Sequence, residues 1–305
     1  MRLVYIISAY KLPDMLIRLV KRLQTEDVTF LIHVDKKTPP GIFGRMEAGL
    51  ACFDNVFFLD RHTCYWGDFG HVRATLKGIN EIVERNIPFD YAILLTGQDY
   101  PLKSNRAIKD FFRENEGKSF IHYTALPHKK WNVMDRIECW HYWIWRKHVR
   151  FPMNTKGGRF ISIKQLINLL LPSKREFLPG MKPYGGSSYW NLTEESICYI
   201  WEYIRNNPDF GDFFHNTYVS DEFFFQTLLL NSLLRGKIVN NHLRHLDWSG
   251  RDGVYPTIFK QSDFEALSAS PHLFARKFDP TVDNRILDMI DQHLLVDEAF
   301  SSIEN

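Results

Sequence analysis

No stretch of the 305-residue chain approaches the ~20 uninterrupted apolar residues of a membrane-spanning helix. The opening run MRLVYIISAYKLP is broken by Lys11 and Pro13 and lacks a small-residue cleavage pattern. Cysteine is scarce: Cys52, Cys64, Cys139 and Cys198 are widely spaced with no C-x-x-C pair. That favours reduced thiols over a disulfide framework. Charge of one sign is also missing, since 38 Lys and Arg face 36 Asp and Glu, a net +2. A chain-wide polyanion-binding surface, and with it a nucleic-acid partner, is therefore not expected. There is no repeat, low-complexity tract or interdomain linker, no P-loop, no GxGxxG, and no His/Cys cluster with zinc spacing. These absences predict a cytoplasmic protein of one domain, peripheral at most to the inner membrane surface.

Aromatics are abundant, at 15% of residues within a hydrophobic fraction of 45%, enough for a large core. Leu3–Ser8, Val28–Val34 and Val56–Leu59 read as strands, and 14–24 and 69–85 as amphipathic helices. Tyr91–Leu95 is a continuous apolar strand of the kind buried on both faces. A helix near 105–114 and a strand at Ser119–His122 complete an alternating α/β half with a parallel opening pair. Beyond it, 131–148 is aromatic and basic and reads as helical, as does Ile163–Leu171. Gly185-Gly186 turns into a strand at Ser188–Leu192, and Thr193 caps a helix to about 205. Ser220 is expected to cap a buried helix over 221–231. A strand near 243–248 and helices near 262–268 and 283–294 close the chain.

Three places carry candidate chemistry. From Trp66 the chain reads WGDFGHVRATLKGINEIVERNIPFDYAILLTGQDYPLKSN, a strand that empties into a polar Gly-Gln-Asp loop. Open α/β sheets bind ligands at such strand ends. In YVSDEFFFQTL, Asp221 and Glu222 fall at a helix start. They are either ordinary dipole-stabilised carboxylates or a general base kept ionised by amide N–H groups, and only one can face a given substrate. In FARKFD, Lys277 is either a solvated charge or a cation for a leaving diphosphate, with Arg251 a looser candidate for the same role. No two aspartates are separated by one residue, so the D-x-D arrangement that holds a divalent metal on a diphosphate is missing.

Five blocks, in order, resemble the core-2/I-branching β-1,6-N-acetylglucosaminyltransferase and peptide O-xylosyltransferase family, glycosyltransferase family 14. They are LVYIISAYKLPDMLIRLVKRL with FLIHVDKK; YWGDFGHVRATL; LLTGQDYPLKSN; YGGSSYWNLTEESICYI with YVSDEFFFQTLLLNS; and LRHLDWS with HLFARKFD. The resemblance implies an α/β, GT-A-like glycosyltransferase fold, a single domain with a mixed, mostly parallel central sheet flanked by helices. It implies a nucleotide-sugar-binding half over 1–125 and an acceptor and catalytic half over 126–305. It also implies a UDP-sugar donor used without a metal or other cofactor, inversion at the anomeric carbon, and a glycan acceptor that is lipid-linked or capsular. GlcNAc and xylose are the leading donor sugars.

By the same resemblance Glu222 is the catalytic base, Lys277 and Arg251 the diphosphate cations, and Asp35 a uridine contact. Trp248 is an acceptor residue, with Asp99, Arg136, Ser187 and Asp221 also on the substrate side. Tyr10 stands where related sequences have His at a donor contact. Golgi members carry an anchor, a stem and disulfides, so this chain looks like a bacterial-type member consisting of the catalytic domain. Two other readings remain open: a catalytically inactive sugar- or nucleotide-binding protein of the same fold, and a metal-dependent retaining transferase, disfavoured by the missing D-x-D.

Overall fold

The β-branched and aromatic runs form the centre of the protein. A computed structural model describes residues 1–145, 147–152, 174–250 and 255–296. Strands β1 (Leu3–Ala9), β2 (Val28–Val34), β3 (Val56–Phe58), β4 (Tyr91–Thr96) and β6 (Ser119–Ile121) join Trp190–Thr193 and Ile238–Val239 in one seven-stranded sheet. Its order is Ile238–Val239, β6, Trp190–Thr193, β4, β1, β2, β3. β1 runs parallel to β2 and β4, and β2 to β3. Trp190–Thr193 runs antiparallel to both of its neighbours, so the sheet is mixed and mostly parallel, as expected. Both halves of the chain contribute strands to it.

Alternation along β1 explains the layering. Leu3, Tyr5, Ile7 and Ala9 face one core, with Leu16 and Leu19 of α1 (Pro13–Leu23) and Ile108 and Phe112 of α4 (Asn105–Glu114). Val4 and Ile6 face the other, with Val72, Ile79 and Ile82 of α3 (Gly70–Glu84) and the Phe224–Leu230 helix. Each Leu, Ile, Val or Phe among them contributes about 1.5–3 kcal/mol when fully buried. Thr193 caps the Glu194–Asn206 helix as expected, accepting from Ser196 N at 3.3 Å.

Two expectations are corrected. The aromatic 131–148 stretch is not one helix: a turn of helix at Asp135–Glu138 leads into an antiparallel hairpin, Trp140–Ile144 with Lys147–Phe151. Aromatic side chains fit a pleated surface, and here Trp140 stacks on Tyr142 and His141 on His148 across the pair. Ser220 does not cap a helix over 221–231. Val219 turns left-handed at φ 55°, Ser220–Glu222 forms a short 3-10 turn, and the α-helix begins only at Phe224. Helix α2 (Pro40–Leu50), in a stretch to which the sequence pattern assigned no element, begins on Pro40. The segment Ile163–Leu171 lies outside the described residues.

Candidate active site

Register decides where the polar residues emerge. Ser8 of β1 stands opposite His33 of β2 and Thr96 of β4, so Tyr10, Asp35 and the Gly97–Asp99 turn leave the sheet side by side at its carboxyl edge. Backbone bonds hold them there: Asp35 N donates to Ala9 O and Gly97 N to Ser8 O, each at 2.9 Å. Asp35 is nearly buried and shapes its own turn, accepting from Lys37 N at 2.8 Å with the Lys37 ammonium at 3.4 Å. Tyr10 is 53% exposed, with the Lys11 ammonium 5.6 Å from its ring centre.

Strand β5 (Asp99–Pro101) pairs with Phe274–Arg276, which pairs in turn with Arg244–Leu246. This small sheet sets Arg276 opposite Asp99 and delivers Lys277 to the same edge. Lys277 is half-buried, and among the described residues it has no salt bridge. Burial, then the neighbouring Arg276 and Lys11 charges, hold its ammonium below the usual lysine range against the pull of Asp279. An uncommitted cation at a strand end is suited to an anionic ligand.

Asp99 requires a correction. It is wholly buried, accepts from Thr96 N at 2.8 Å, and meets Arg276 at 3.3 Å and Arg244 at 3.6 Å. It therefore braces two arginines and presents no oxygen to an acceptor. Arg244 also donates to Leu94 O, and Arg276 to Thr96 Oγ1.

The carboxylate pair lies on the turn after Val219. Val219 N donates to Gly67 O at 2.8 Å and Gly186 N to Glu222 O at 2.8 Å, which clamps the turn from two sides. Gly186 has to be glycine, because a Cβ there would lie 1.9 Å from His122 O. Glu222 Oε2 accepts from Arg136 Nη1 at 2.6 Å, and the side chain keeps 30% of its surface. Burial first, and then the adjacent Asp221 charge, push the Glu222 carboxyl up to about 7, with Arg136 opposing. The helix-dipole account of an easily ionised carboxylate is thus corrected: Glu222 precedes the helix, and desolvation dominates. Asp221 points elsewhere, accepting from Ser188 Oγ at 2.7 Å, and Ser187 O accepts from Gln226 Nε2 at 2.7 Å.

Tyr189 links the two groups of residues. Its neighbour Ser188 holds Asp221, while Arg276 and Arg244 lie 5.6 and 4.6 Å from its ring centre. Burial raises its hydroxyl pKa, and the charges of Arg276 and Asp221 both act on it. Trp248, 51% exposed, lines a cavity of about 530 Å³ with His122, Arg244, His245 and His272. Arg251 lies outside the described residues.

Sequence reasoning missed Tyr189, Arg244 and Arg276, although YWNLT, LRHLDW and FARKFD contain them. It also missed a cluster in space: side-chain nitrogen and sulfur atoms of His33, His62 and Cys64 lie within 4.8 Å of one another.

The chain matches the family described as Core-2/I-Branching enzyme over residues 3–269. It is 27% identical to xylosyltransferase 2 of Homo sapiens, over 91% of this chain and 32% of that protein. It is 25% identical to the N-acetyllactosaminide β-1,6-N-acetylglucosaminyl-transferase of Homo sapiens, over 91% of this chain and 68% of that protein. The chain thus spans about a third of the length of the first of these relatives. Among solved structures, a galactosyltransferase, LgtC, in complex with donor and acceptor sugar analogues superposes with a TM-score of 0.40 at 11% identity, over 99% of both chains.

Proposed function

We propose, from the premise that the chain belongs to the Core-2/I-branching enzyme family, that it transfers a sugar from a UDP-sugar to a hydroxyl of a glycan acceptor in one inverting step. GlcNAc and xylose are the donor sugars that the relatives' names favour. The observation that carries the reading is Glu222: a partly accessible carboxyl, clamped by Gly186 and Arg136, with a pKa near the pH at which it would work. A general base is most effective in that range.

In this account Glu222 takes the proton from the acceptor oxygen as that oxygen attacks C1 from the face opposite the leaving group. The C1–O bond to UDP breaks, and Lys277 compensates the diphosphate charge as it develops. At ~4 Å and an effective dielectric of ~20, one such contact amounts to about 4 kcal/mol of gross attraction. Arg276 takes no direct part; braced by Asp99 and Thr96, it fixes the strand end from which Lys277 projects. In this account the Lys277 ammonium takes the part that a D-x-D metal plays elsewhere. The cavity beside Trp248 is the proposed acceptor side, where the indole would stack on a sugar face.

The test is UDP release from UDP-GlcNAc and UDP-xylose with a panel of glycan acceptors, followed by the anomeric configuration of the product. Acceptor-dependent release with inversion supports the proposal. Retention overturns the single displacement. UDP binding without release from either donor favours the binding-protein reading.

A further inference from the structure

We propose that the cavity beside Trp248 holds a negatively charged group, a carboxylate or a phosphate, carried by the sugar that binds there. That this sugar is the acceptor rests on the transferase reading; the cavity's preference for an anion does not. Two parallel strand pairs build the site. His122 follows β6, and His242 follows Ile238–Val239, which runs parallel to β6. His245 lies on Arg244–Leu246, and His272 precedes Phe274–Arg276, again a parallel pair. The four imidazoles form a chain along a cavity of about 530 Å³. Ring centres are 6.0 Å apart from His122 to His242, then 6.4 Å to His272 and 6.4 Å to His245.

Three observations favour an anion over the hydroxyls of a neutral sugar. First, no carboxylate lines the cavity among the described residues. Asp247, the acid beside His245, is turned onto Ser249, accepting from its N at 2.8 Å and its Oγ at 2.9 Å. Second, the side chains of the lining have acceptors already in use and donors to spare. The amide oxygen of Asn240 accepts from Tyr123 N and that of Asn241 from Leu243 N, each at 2.8 Å. His242 Nδ1 accepts from Arg244 N at 3.1 Å, which leaves the neutral ring's proton on Nε2. Ser270 Oγ accepts from His272 N at 3.3 Å and lies 3.1 Å from His245 Nδ1, to which it can donate, so His245 also presents Nε2–H. A sugar hydroxyl must place its own proton on an acceptor, whereas a carboxylate or phosphate only accepts. Third, the wall beneath is positive. Arg244, 1% exposed, and Arg276 share the single carboxylate of Asp99 at 3.6 and 3.3 Å, which leaves one positive charge in excess. Arg244 donates its Nη groups to His242 O and Leu94 O, so it supplies field rather than contact.

The charge state of the histidines follows from the same surroundings. Burial, then the charges of Arg244, His122 and His272, hold His242 down to about 3. Burial, then His245, holds His272 below the usual histidine range, so both rings are neutral in the free protein. An anion among them opposes that repulsion and favours their protonated forms. Binding therefore takes up protons and tightens as pH falls. The cavity also adjoins the catalytic turn: His122 O lies against Gly186, whose N donates to Glu222 O at 2.8 Å. An anionic group held here would fix the acceptor beside the proposed base.

The experiment is NMR titration of the full chain with glucose, glucuronate and glucose 6-phosphate, in the parent and in Lys277→Met, where the diphosphate cation can no longer hold the probe. Both anionic probes are expected to bind at least ~10-fold more tightly than glucose in both proteins, because charge-assisted hydrogen bonds are the stronger kind. The tighter of the two tells a carboxylate site from a phosphate site. Glucuronate stays ionised above about pH 5. Its affinity should rise at least ~5-fold from about pH 8 to about pH 6, in Glu222→Gln as in the parent. His122→Gln and His272→Gln should each weaken both anionic probes at least ~3-fold, with Tm and UDP affinity nearly unchanged. The proposal is overturned by equal affinity for glucose, by binding lost in Lys277→Met, by a glucuronate affinity flat in pH, or by indifference to both histidine substitutions. Should those variants fail to fold, modification of the parent by diethyl pyrocarbonate decides. Protection of His122 and His272 by glucuronate and not by glucose supports the site, and equal modification overturns it. Anion binding in a protein that releases no UDP from any donor would strike the transferase reading and leave the cavity's preference standing. UDP release without a preference for anionic probes would do the reverse.

Discussion

Replacing Glu222 with Gln removes one proton acceptor and little else. The amide oxygen can still accept from Arg136, and the Gly186 N–Glu222 O bond belongs to the backbone. The fold should therefore survive. Loss of the base is expected to lower kcat by about 10²–10⁴-fold, or roughly 3–5 kcal/mol of activation free energy. UDP binding, measured by calorimetry, should be unchanged. The pH dependence gives a second reading of the same residue. The base works when deprotonated, so parent kcat should rise with pH through about 7. For stability the sign is the opposite. Because the folded-state pKa is raised, the native protein holds this proton to higher pH than the unfolded chain. Its favourable contribution is complete below the ordinary carboxylate pKa and is lost as pH rises through about 7. Glu222→Gln should remove that loss, giving a Tm above pH 7 that equals or exceeds the parent's. Turnover close to the parent's would refute the assignment, as would a kcat limb near 7 that persists in the variant.

Other expectations concern the surroundings of this carboxyl. Asp221→Asn relieves the repulsion that helps raise Glu222, so the kcat limb should move to lower pH; a limb that stays in place counts against the coupling. Lys277→Met should reduce kcat/KM at least ~10-fold while leaving Tm nearly unchanged, because the ammonium has no salt bridge among the described residues. Gly186→Ala forces a methyl against His122 O and should destabilise the protein by about 1–3 kcal/mol, read by urea denaturation. In EDTA, adding Mg²⁺ or Mn²⁺ should give no stimulation; a several-fold rise would reject the cation-only account of UDP departure.

How much of this was legible in the chain depended on how local each cause was. Strands β1, β2 and β4 declare themselves because both faces are buried, so Val4 to Ile7 and Tyr91 to Leu95 are apolar without interruption. Helix α2 does not, since Pro39, Pro40, Gly41, Gly44 and Gly49 interrupt any helical pattern; tertiary packing explains at least Gly49, where a Cβ would lie 2.2 Å from Ile17. Glu222 and Lys277 were found by motif, but the environment of Glu222 was not, because Arg136 comes from 86 residues earlier. Asp99 reads from the sequence as part of a polar loop on the substrate side. Its arginine partners lie 145 and 177 positions away, too far for any local pattern to show that it is enclosed. The His33–His62–Cys64 cluster stayed hidden for the same reason: 29 residues separate the two histidines.

A structure of the chain with UDP bound would test the central claim most directly. The account predicts diphosphate oxygens within ~3.2 Å of Lys277 Nζ, the uracil near Asp35, and the open C1 side of the diphosphate facing the Glu222 carboxyl. UDP seated elsewhere, or a diphosphate whose open side is walled off from Glu222, would contradict it.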